Sequence, residues 1–222
     1  MTPLPWSFTA LNQFITCPRQ YEAQRITKTV QDVKGEAAIW GEWVHKQFEN
    51  RLRDGTPLPE KLADHVEYME RLANEPGKHY VEQKVALNKQ GAACGFFDKD
   101  VWSRGVIDFM AISGNYALIV DHKTGKMKSD SKQLKLFAIY TMHTYPQVNN
   151  VDTRYYWTQH KQATGAQYSR HQLPALWQDF LPSLRQYKEA FETDTWQPRQ
   201  SGLCAGWCAV TGCEYWKPKH IK

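Results

Sequence analysis

The segment GVIDFMAISGNYALIVDHKTGK, residues 105–126, decides the fold. It contains two apolar runs joined by a Gly-Asn pair at 114–115, a pattern that predicts a β-hairpin. Asp108 lies at or near the end of the first predicted strand, and Asp121 and Lys123 lie at the end of the second. Side chains two residues apart on a strand project to the same face, so Asp121 and Lys123 share one. The hairpin would therefore bring two carboxylates and a lysine together at one end of a sheet.

This combination of side chains suits chemistry at a phosphate. Paired carboxylates bind Mg²⁺ or Mn²⁺, which prefer oxygen ligands. The bound cation polarises the phosphate and makes a hydroxide from its water. A neighbouring lysine helps to deprotonate that water or stabilises the charge of the transition state. The alternative is a surface hairpin with an ordinary Asp–Lys salt bridge, and this short pattern alone leaves both interpretations open.

The order of the predicted elements indicates an α/β fold with a mixed central sheet. Helices are predicted over residues 35–53 and 60–73, after a first helix that Pro18 either kinks or follows with a new one. Strand patterns then begin near residue 80. A helix from about residue 130 to Thr144, a further strand and a helix broken by proline complete the chain.

Two predicted helices carry polar residues of interest. His45 lies in WGEWVHKQFENRL, with Gly41 and Glu49 one turn away on the same face. Gln133 and Tyr140 share one stripe of the helix that follows the hairpin. A single histidine on a helix is more often a core or surface residue than a ligand, and the second helix alone reads as ordinary and amphipathic.

The order of these motifs resembles that of the RecB-type nucleases of the PD-(D/E)XK superfamily, which include the AddB nuclease domain, nucleases of CRISPR spacer acquisition and many phage exonucleases. The matching motifs are GxxxH, GxID, DxKTG and QxxxxxxY, at Gly41–His45, Gly105–Asp108, Asp121–Gly125 and Gln133–Tyr140. The N-terminal SFTALNQFITCPRQY also resembles the opening motif of this group. The resemblance spans residues 7–213 and implies a restriction-endonuclease-like core.

The resemblance also implies a role for each motif residue at the site. His45, Asp108 and Asp121 would bind Mg²⁺ or Mn²⁺, with the backbone carbonyl of His122 as a further ligand. Lys123 would be the catalytic lysine.

Residues around this set would support it or contact DNA. Gln133 and Tyr140 would contact DNA or orient the lysine. Glu82, on the first predicted strand, is expected to support the site without binding the metal directly. Four lysines that follow the site would line a groove for a phosphate backbone, unless they form only a solvated helix face: Lys126, Lys128, Lys132 and Lys135.

Three cysteines cluster near the C-terminus, in GLCAGWCAVTGCEYW at residues 202–216. They are Cys204, Cys208 and Cys213, and Cys17 is the candidate fourth ligand. The iron–sulfur members of the RecB-type group have a similar arrangement, with one cysteine before the core and three after it. The resemblance implies a [4Fe–4S] cluster that joins the two ends of the domain. Zn²⁺ is the alternative, and unligated thiols are a further one.

Composition bounds the class of protein. The net charge of +5 and the isoelectric point near 8.9 permit binding to a polyanion. No apolar run approaches the ~20 residues of a membrane span, and the N-terminus lacks a signal-peptide pattern. We therefore expect a cytoplasmic protein, phage-encoded or bacterial, that binds DNA and no membrane. Self-association and a replication or recombination partner protein stay open.

These observations lead to one prediction of domain and function. Residues 1–222 would form a single nuclease domain, with a helical part at 1–77, a core at 78–195 and a cysteine segment at 196–222. The protein would be a metal-dependent DNA exonuclease acting on single strands or DNA ends in phage or bacterial recombination, repair or replication. The alternatives are an endonuclease or RNase of the same fold, and a catalytically silent iron–sulfur DNA-binding protein.

Overall fold

The hairpin predicted at residues 105–126 forms, and its first strand extends well beyond that segment. In this computed structural model, which describes residues 2–31 and 34–218, strand β2 runs over Val101–Ser113 and β3 over Tyr116–Lys123. Gly114 takes a φ of +58° in the turn between them, a conformation that favours glycine. Strand β1, Lys78–Asn88, pairs with β2 in the antiparallel direction.

The five strands form one mixed sheet in the order β1-β2-β3-β4-β5. Strand β4, Asn150–Trp157, pairs with β3 in the parallel direction, and β5, Gln162–Ser169, pairs with β4 in the antiparallel direction. The sequence pattern did not predict β5 because its residues, QATGAQYS, carry no aliphatic alternation and lie largely exposed. The predicted α/β fold with a mixed sheet flanked by helices is confirmed.

Seven α-helices lie in the described ranges 2–31 and 34–218: α1 (Phe8–Thr16), α2 (Pro18–Tyr21), α3 (Glu36–Asp54), α4 (Val66–Ala73), α5 (Lys132–Thr144), α6 (Leu173–Gln178) and α7 (Leu181–Thr193). A π-helix, Glu22–Ile26, follows α2. Short 3₁₀ helices occupy three further segments: Glu60–His65, Arg170–Gln172 and Gly202–Cys204. Ser7 caps α1 by accepting a hydrogen bond from Ala10 N at 3.2 Å. Pro18 opens α2, where its missing N–H costs nothing.

The chain groups into two compact units. The central unit, residues 35–179, contains the whole sheet, whereas the terminal unit combines the chain up to residue 34 with the chain from residue 180 onward. The division of one nuclease domain at residues 77 and 195 stays a prediction. Within residues 2–31 and 34–218, no helix combines the length and the apolar character needed to cross a bilayer.

Helices cover both faces of the sheet in the central unit. Val44 and Phe48 of α3 pack with Met69 of α4 onto Phe109 and Val120 of the hairpin. On the opposite side α5 contributes Tyr140, which is 0% exposed and whose ring lies beneath Gly105. Burial of apolar surface on both sides fixes the hairpin, and with it the polar strand ends that follow.

The terminal unit is held by an aromatic core. Phe14 and Tyr21 of the N-terminal segment make edge-to-face contacts with Tyr187 of α7, at centroid distances of 5.3 and 5.5 Å. The hydroxyls of Tyr21 and Tyr187 form a buried hydrogen bond of 2.6 Å. Trp196 stacks on Tyr21 at 6.1 Å. The two ends of the chain are therefore packed together by side chains other than the cysteines.

Candidate active site

The site forms where β2 and β3 separate. Their pairing ends at Phe109 and Val120, one residue short of the two aspartates of the hairpin. Beyond that point the backbone N–H of His122 donates to Asp108 Oδ2 at 2.8 Å. The backbone N–H of His122 has no backbone partner on β2 at this point, and the carboxylate of Asp108 accepts its hydrogen bond instead. The same bond fixes one oxygen of Asp108.

His45, Glu82 and Asp108 form the one group of three in residues 2–31 and 34–218 whose ligand atoms all lie within 4.8 Å of one another. Helix α3 brings His45 to the strand, with Nδ1 3.2 Å from Asp108 Oδ2. All three side chains are partly exposed. Two carboxylates and an imidazole form a donor set that suits Mn²⁺ or Mg²⁺, since both cations take carboxylate oxygens. The sequence places Glu82 beside the site and outside the direct ligands, and its place in this group makes it a candidate ligand as well.

The backbone at Glu82 shows how that side chain reaches the group. Val81 pairs with Phe109 and Gln83 with Ile107, so Glu82 and Asp108 lie between two paired positions without being paired themselves. Glu82 has a φ of +52°, in the left-handed region that non-glycine residues rarely adopt within a strand. Such strain persists only where the surrounding structure holds it, and it is frequent at functional sites. The sequence offers no signal for this conformation, because any glutamate on a strand reads as regular.

Lys123 is held by two partners on neighbouring elements. Its Nζ donates to Gln133 Oε1 of α5 at 2.9 Å and lies 2.5 Å from Asp121 Oδ2. Gln133 Nε2 donates in turn to Asp121 Oδ1 at 3.0 Å. The Lys123–Asp121 contact is an ion pair on Asp121 Oδ2, and no other described residue donates to that oxygen. The amide of Gln133 therefore orients both charged groups.

Burial acts differently on the two aspartates of the site. Burial raises the pKa of Asp121 to about 7, and the charge of Asp108 adds to that effect while Lys123 opposes it. Burial also disfavours the charge on Asp108, but hydrogen bonds from His122 and His45 hold the pKa of Asp108 well below its usual range. One carboxylate is therefore firmly ionised, and the other readily accepts a proton while no cation is bound.

Two opposing effects act on the pKa of the His45 imidazole. Burial lowers its pKa, but the hydrogen bond and charge of Asp108 raise it more, so that the pKa lies above its ordinary value. For Glu82, burial raises the pKa, and the charge of Asp108 adds to this. Repulsion among these carboxylates is the kind of strain that a divalent cation relieves.

The side chain of His122 anchors the strand end in the core. It is 2% exposed and meets the rings of Phe48 and Tyr68 edge-on at 4.9 and 6.4 Å. Its Nδ1 lies 3.5 Å from Asp108 Oδ2, and burial lowers its pKa. Packing of the ring keeps the backbone N–H of His122 directed at Asp108.

Two motif glycines allow close approach of neighbouring elements. A Cβ on Gly41 of α3 would lie 3.0 Å from Thr124 Oγ1, just after Lys123. A Cβ on Gly105 would lie 3.0 Å from Tyr140 Cε2. Both positions therefore set how near the helices come to the strands that carry the site.

The predicted DNA-contacting residues divide into two groups. Tyr140 is fully buried and hydrogen-bonded to Ser103, so its ring packs into the core. Lys135 is paired with Asp179. The remaining lysines of the set are exposed near the site: Lys126, Lys128 and Lys132. These three lysines are open to solvent, as a phosphate contact needs, and the DNA-contacting role of the whole set stays a prediction.

Four cysteines line one cavity of the terminal unit: Cys17, Cys204, Cys208 and Cys213. None of them is in a disulfide. The backbone N–H of Arg199 donates to Cys17 Sγ at 3.4 Å, and that of Ser201 donates to Cys204 Sγ at 3.5 Å. No three of these sulfurs, all within the described residues, lie as close as 4.8 Å to one another. The structure therefore gathers the four predicted cysteines around one cavity.

A model of the PD-(D/E)XK nuclease superfamily matches residues 5–97 and 82–216 of the chain. Among solved structures, a candidate exonuclease from Eubacterium rectale superposes with a TM-score of 0.58 at 12% identity, over 91% of this chain and 86% of that one. The protein SSO0001 superposes with a TM-score of 0.53 at 13% identity, over 97% and 88% of the two chains. No curated protein matches the sequence at a significant level. At these identities the solved structures show a shared fold.

Proposed function

Because the chain belongs to the PD-(D/E)XK nuclease superfamily, we propose that it is a metal-dependent nuclease that hydrolyses phosphodiester bonds in DNA. The observation that carries the proposal is the meeting of His45, Glu82 and Asp108 beside Lys123, whose Nζ is fixed by Gln133. A plain surface hairpin would need neither the group of ligands nor the oriented lysine.

The donor set fits Mg²⁺ or Mn²⁺. His45, Glu82 and Asp108 would hold the cation, and we keep Asp121 and the carbonyl of His122 as proposed further ligands. A bound cation supplies a Lewis acid for the phosphate and lowers the pKa of its water. The hydrogen bond from His122 N–H and the contact of His45 both fall on Asp108 Oδ2, which leaves Oδ1 for other interactions.

Lys123 would act on the phosphate through its ammonium group. An ammonium carries three donors, and one of them is committed to Gln133 while Asp121 faces the same nitrogen. The side chain is 30% exposed, so a remaining donor can reach a phosphate oxygen. There it would stabilise the charge that develops in the transition state, or pass a proton. The intact network around Lys123 argues against a catalytically silent DNA-binding protein.

We favour an exonuclease that acts on single-stranded DNA or DNA ends. The Eubacterium rectale structure, described as a candidate exonuclease, supports this choice by its likeness in fold. An endonuclease or RNase of the same fold is the second candidate. A circular single-stranded DNA separates them, because an exonuclease leaves the circle intact and degrades the linear form.

The four cysteines support a [4Fe–4S] cluster. Four thiolates on one zinc ion, with Zn–S bonds of about 2.3 Å, have sulfurs roughly 3.8 Å apart. No three of the four cysteine sulfurs here lie within 4.8 Å of one another. A cubane cluster needs a wider frame, because four irons lie between its thiolates. Backbone N–H groups directed at Cys17 and Cys204 suit thiolate ligands. The proposed role is structural, to fasten the C-terminal segment to the N-terminal helices.

The proposed setting is the cytoplasm of a bacterial cell, with phage or host recombination, repair or replication as the process. Partner proteins and self-association belong to the same proposal.

A nuclease assay on end-labelled single-stranded DNA tests the function. Wild-type protein with Mg²⁺ or Mn²⁺ should degrade the DNA, and a chelator should stop it. Lys123→Ala should lower the rate by about 10²-fold or more. Lys188→Ala is the matched control, because Lys188 is an exposed lysine of α7 that pairs with Glu192 of the same helix. Full activity of Lys123→Ala, or full activity in chelator, would overturn the proposal.

A further inference from the structure

Side chains of the connection between β1 and β2 hydrogen-bond to its own backbone. Asn88 Oδ1 accepts hydrogen bonds from the backbone N–H groups of Gln90 and Ala92, at 3.1 and 3.0 Å. Further along, Asp98 Oδ2 accepts from Gly95 N at 2.7 Å, and the N–H of Asp98 donates back to the Gly95 carbonyl at 3.0 Å. These bonds fix the backbone on both sides of residues 96 and 97.

The connection presents two phenylalanines over two basic side chains of the sheet. Lys84 Nζ lies 5.7 and 5.3 Å from the ring centroids of Phe96 and Phe97. The guanidinium of Arg104 lies 5.0 Å from the Phe96 centroid and donates to the Phe96 carbonyl at 3.3 Å. The two rings meet edge to face at 5.1 Å. Lys84, Phe96, Phe97 and Arg104 together form what we call the aromatic–basic cluster.

Phe97 is the most exposed large apolar side chain in the described residues, at 77%. An exposed phenylalanine adds nothing to the core, yet contacts with Lys84 and Phe96 hold this ring in place. An aromatic face that is fixed, open to solvent and flanked by cations is the arrangement on which single-stranded nucleic acids stack their bases. Duplex DNA keeps its bases stacked on one another and has less use for such a face.

The cluster lies next to the site along the same strands. Lys84 follows Glu82 by two residues of β1, or roughly 7 Å. Arg104 precedes Asp108 by four residues of β2, or roughly 13 Å. A single DNA strand carries one phosphate for about every 3.4 Å of its length, or for more when it is extended. A few nucleotides therefore span the distance from the cluster to the site.

We propose that the aromatic–basic cluster binds the single-stranded portion of a DNA substrate, with a base stacked on Phe97 and phosphates near Lys84 and Arg104. This inference rests on the proposed function and adds to it the strandedness of the substrate. The acidic neighbours are engaged elsewhere, since Asp98 bonds to Gly95 and Asp100 lies 3.5 Å from the Asn88 amide. The groups that face one another in the cluster are therefore two aromatic rings and two cations.

The test is fluorescence anisotropy of a labelled single-stranded oligonucleotide in chelator, with a duplex of equal length beside it. Phe97→Ala should weaken single-strand affinity roughly five-fold or more, as loss of one base–aromatic stack does, and leave duplex affinity unchanged. Phe97→Trp should restore single-strand affinity. Thermal melting checks that each variant is folded. Because Phe97 is exposed, its substitution should leave the melting temperature nearly unchanged.

Lys84→Ala gives a second, independent reading. It should reduce the slope of log affinity against log salt by about 0.7 for single strands, the change expected for one phosphate contact. Phe97→Ala should leave that slope unchanged, and Lys188→Ala, a lysine of α7, should bind like wild type.

The inference is overturned if Phe97→Ala binds single strands like wild type, or if it weakens duplex and single strand equally. Because binding is measured without metal or cleavage, its outcome is separate from that of the nuclease assay. A protein that cleaves nothing can still show the Phe97 effect, and an active nuclease can lack it.

Discussion

The backbone N–H of His122 donates to Asp108 Oδ2 at 2.8 Å, at the point where β2 and β3 stop pairing. This bond joins the two strands of the hairpin through a carboxylate and engages only one of the two oxygens of Asp108. His45 approaches the bonded oxygen from α3 at 3.2 Å. The separation of the strands therefore creates the space in which His45, Glu82 and Asp108 meet.

Glu82→Gln should raise the Mn²⁺ concentration needed for half-maximal nuclease activity at least about ten-fold, because a neutral amide replaces a charged ligand. The strained backbone at Glu82, with φ +52°, is kept by this substitution. A metal titration of activity measures the change. Gln83→Ala, the next residue of β1, is the control. An unchanged titration for Glu82→Gln would return Glu82 to the supporting role expected from sequence.

Gln133→Leu should lower kcat about 10- to 100-fold and leave KM for DNA nearly unchanged, because Gln133 holds Lys123 and Asp121 in place. Steady-state kinetics on a labelled oligonucleotide separates the two constants. Gln186→Leu, on the exposed surface of α7, should behave like wild type. A raised KM with unchanged kcat would instead assign Gln133 to DNA contact, the alternative that the sequence left open.

Mn²⁺ should stabilise the protein more at pH 8 than at pH 6. The pKa of Asp121 in the metal-free folded state is raised to about 7, mainly by burial, so its proton favours the folded state at low pH. That contribution is lost as the pH rises through about 7, and the cation then replaces the proton. The raised pKa of His45 acts in the same direction, since the imidazole must be neutral to bind a metal.

Thermal unfolding with and without Mn²⁺ at the two pH values measures this effect. A metal-induced shift in melting temperature that is equal at both, or larger at pH 6, would show that no proton is displaced from the site.

Cys204→Ser should lower iron content and thermal stability together, since the proposed cluster joins Cys17 to the C-terminal cysteines. Iron and sulfide analysis with a visible absorption spectrum gives the reading, and Cys94→Ser, outside the cavity, is the control. A colourless protein with one zinc per chain would support the zinc alternative. A fully stable variant without metal would contradict the structural role of the cluster.

Much of the site could be predicted because its chemistry resides in short motifs. The hairpin alternation placed Asp121 and Lys123 on one face, and both turn toward Gln133. Gly41 and Gly105 matched the motifs, and each lies where a Cβ would crowd a neighbour. Each of these residues lies on a regular helix or strand, so the spacing along the sequence predicts which face of the element its side chain occupies.

Other features of the structure depend on tertiary geometry that short motifs do not report. Glu82 enters the site through a local left-handed conformation, and Tyr140 turns into the core to bond Ser103. Strand β5 lies at the sheet edge, largely exposed, and is held by its backbone pairing with β4, which leaves no apolar alternation in the sequence. The stacking of Phe97 on Lys84 depends on a long connection whose shape Asn88 and Asp98 determine.

The most direct test of the central claim is the cleavage rate of Asp108→Asn on end-labelled single-stranded DNA at saturating Mn²⁺. Asn keeps the shape of the side chain and removes the charge that His45 and the bound cation require. The account predicts a loss of about 10²-fold or more against wild type, with Asp179→Asn, an aspartate paired with Lys135, unaffected. An Asp108→Asn variant that cleaves DNA at the wild-type rate would contradict the proposed site.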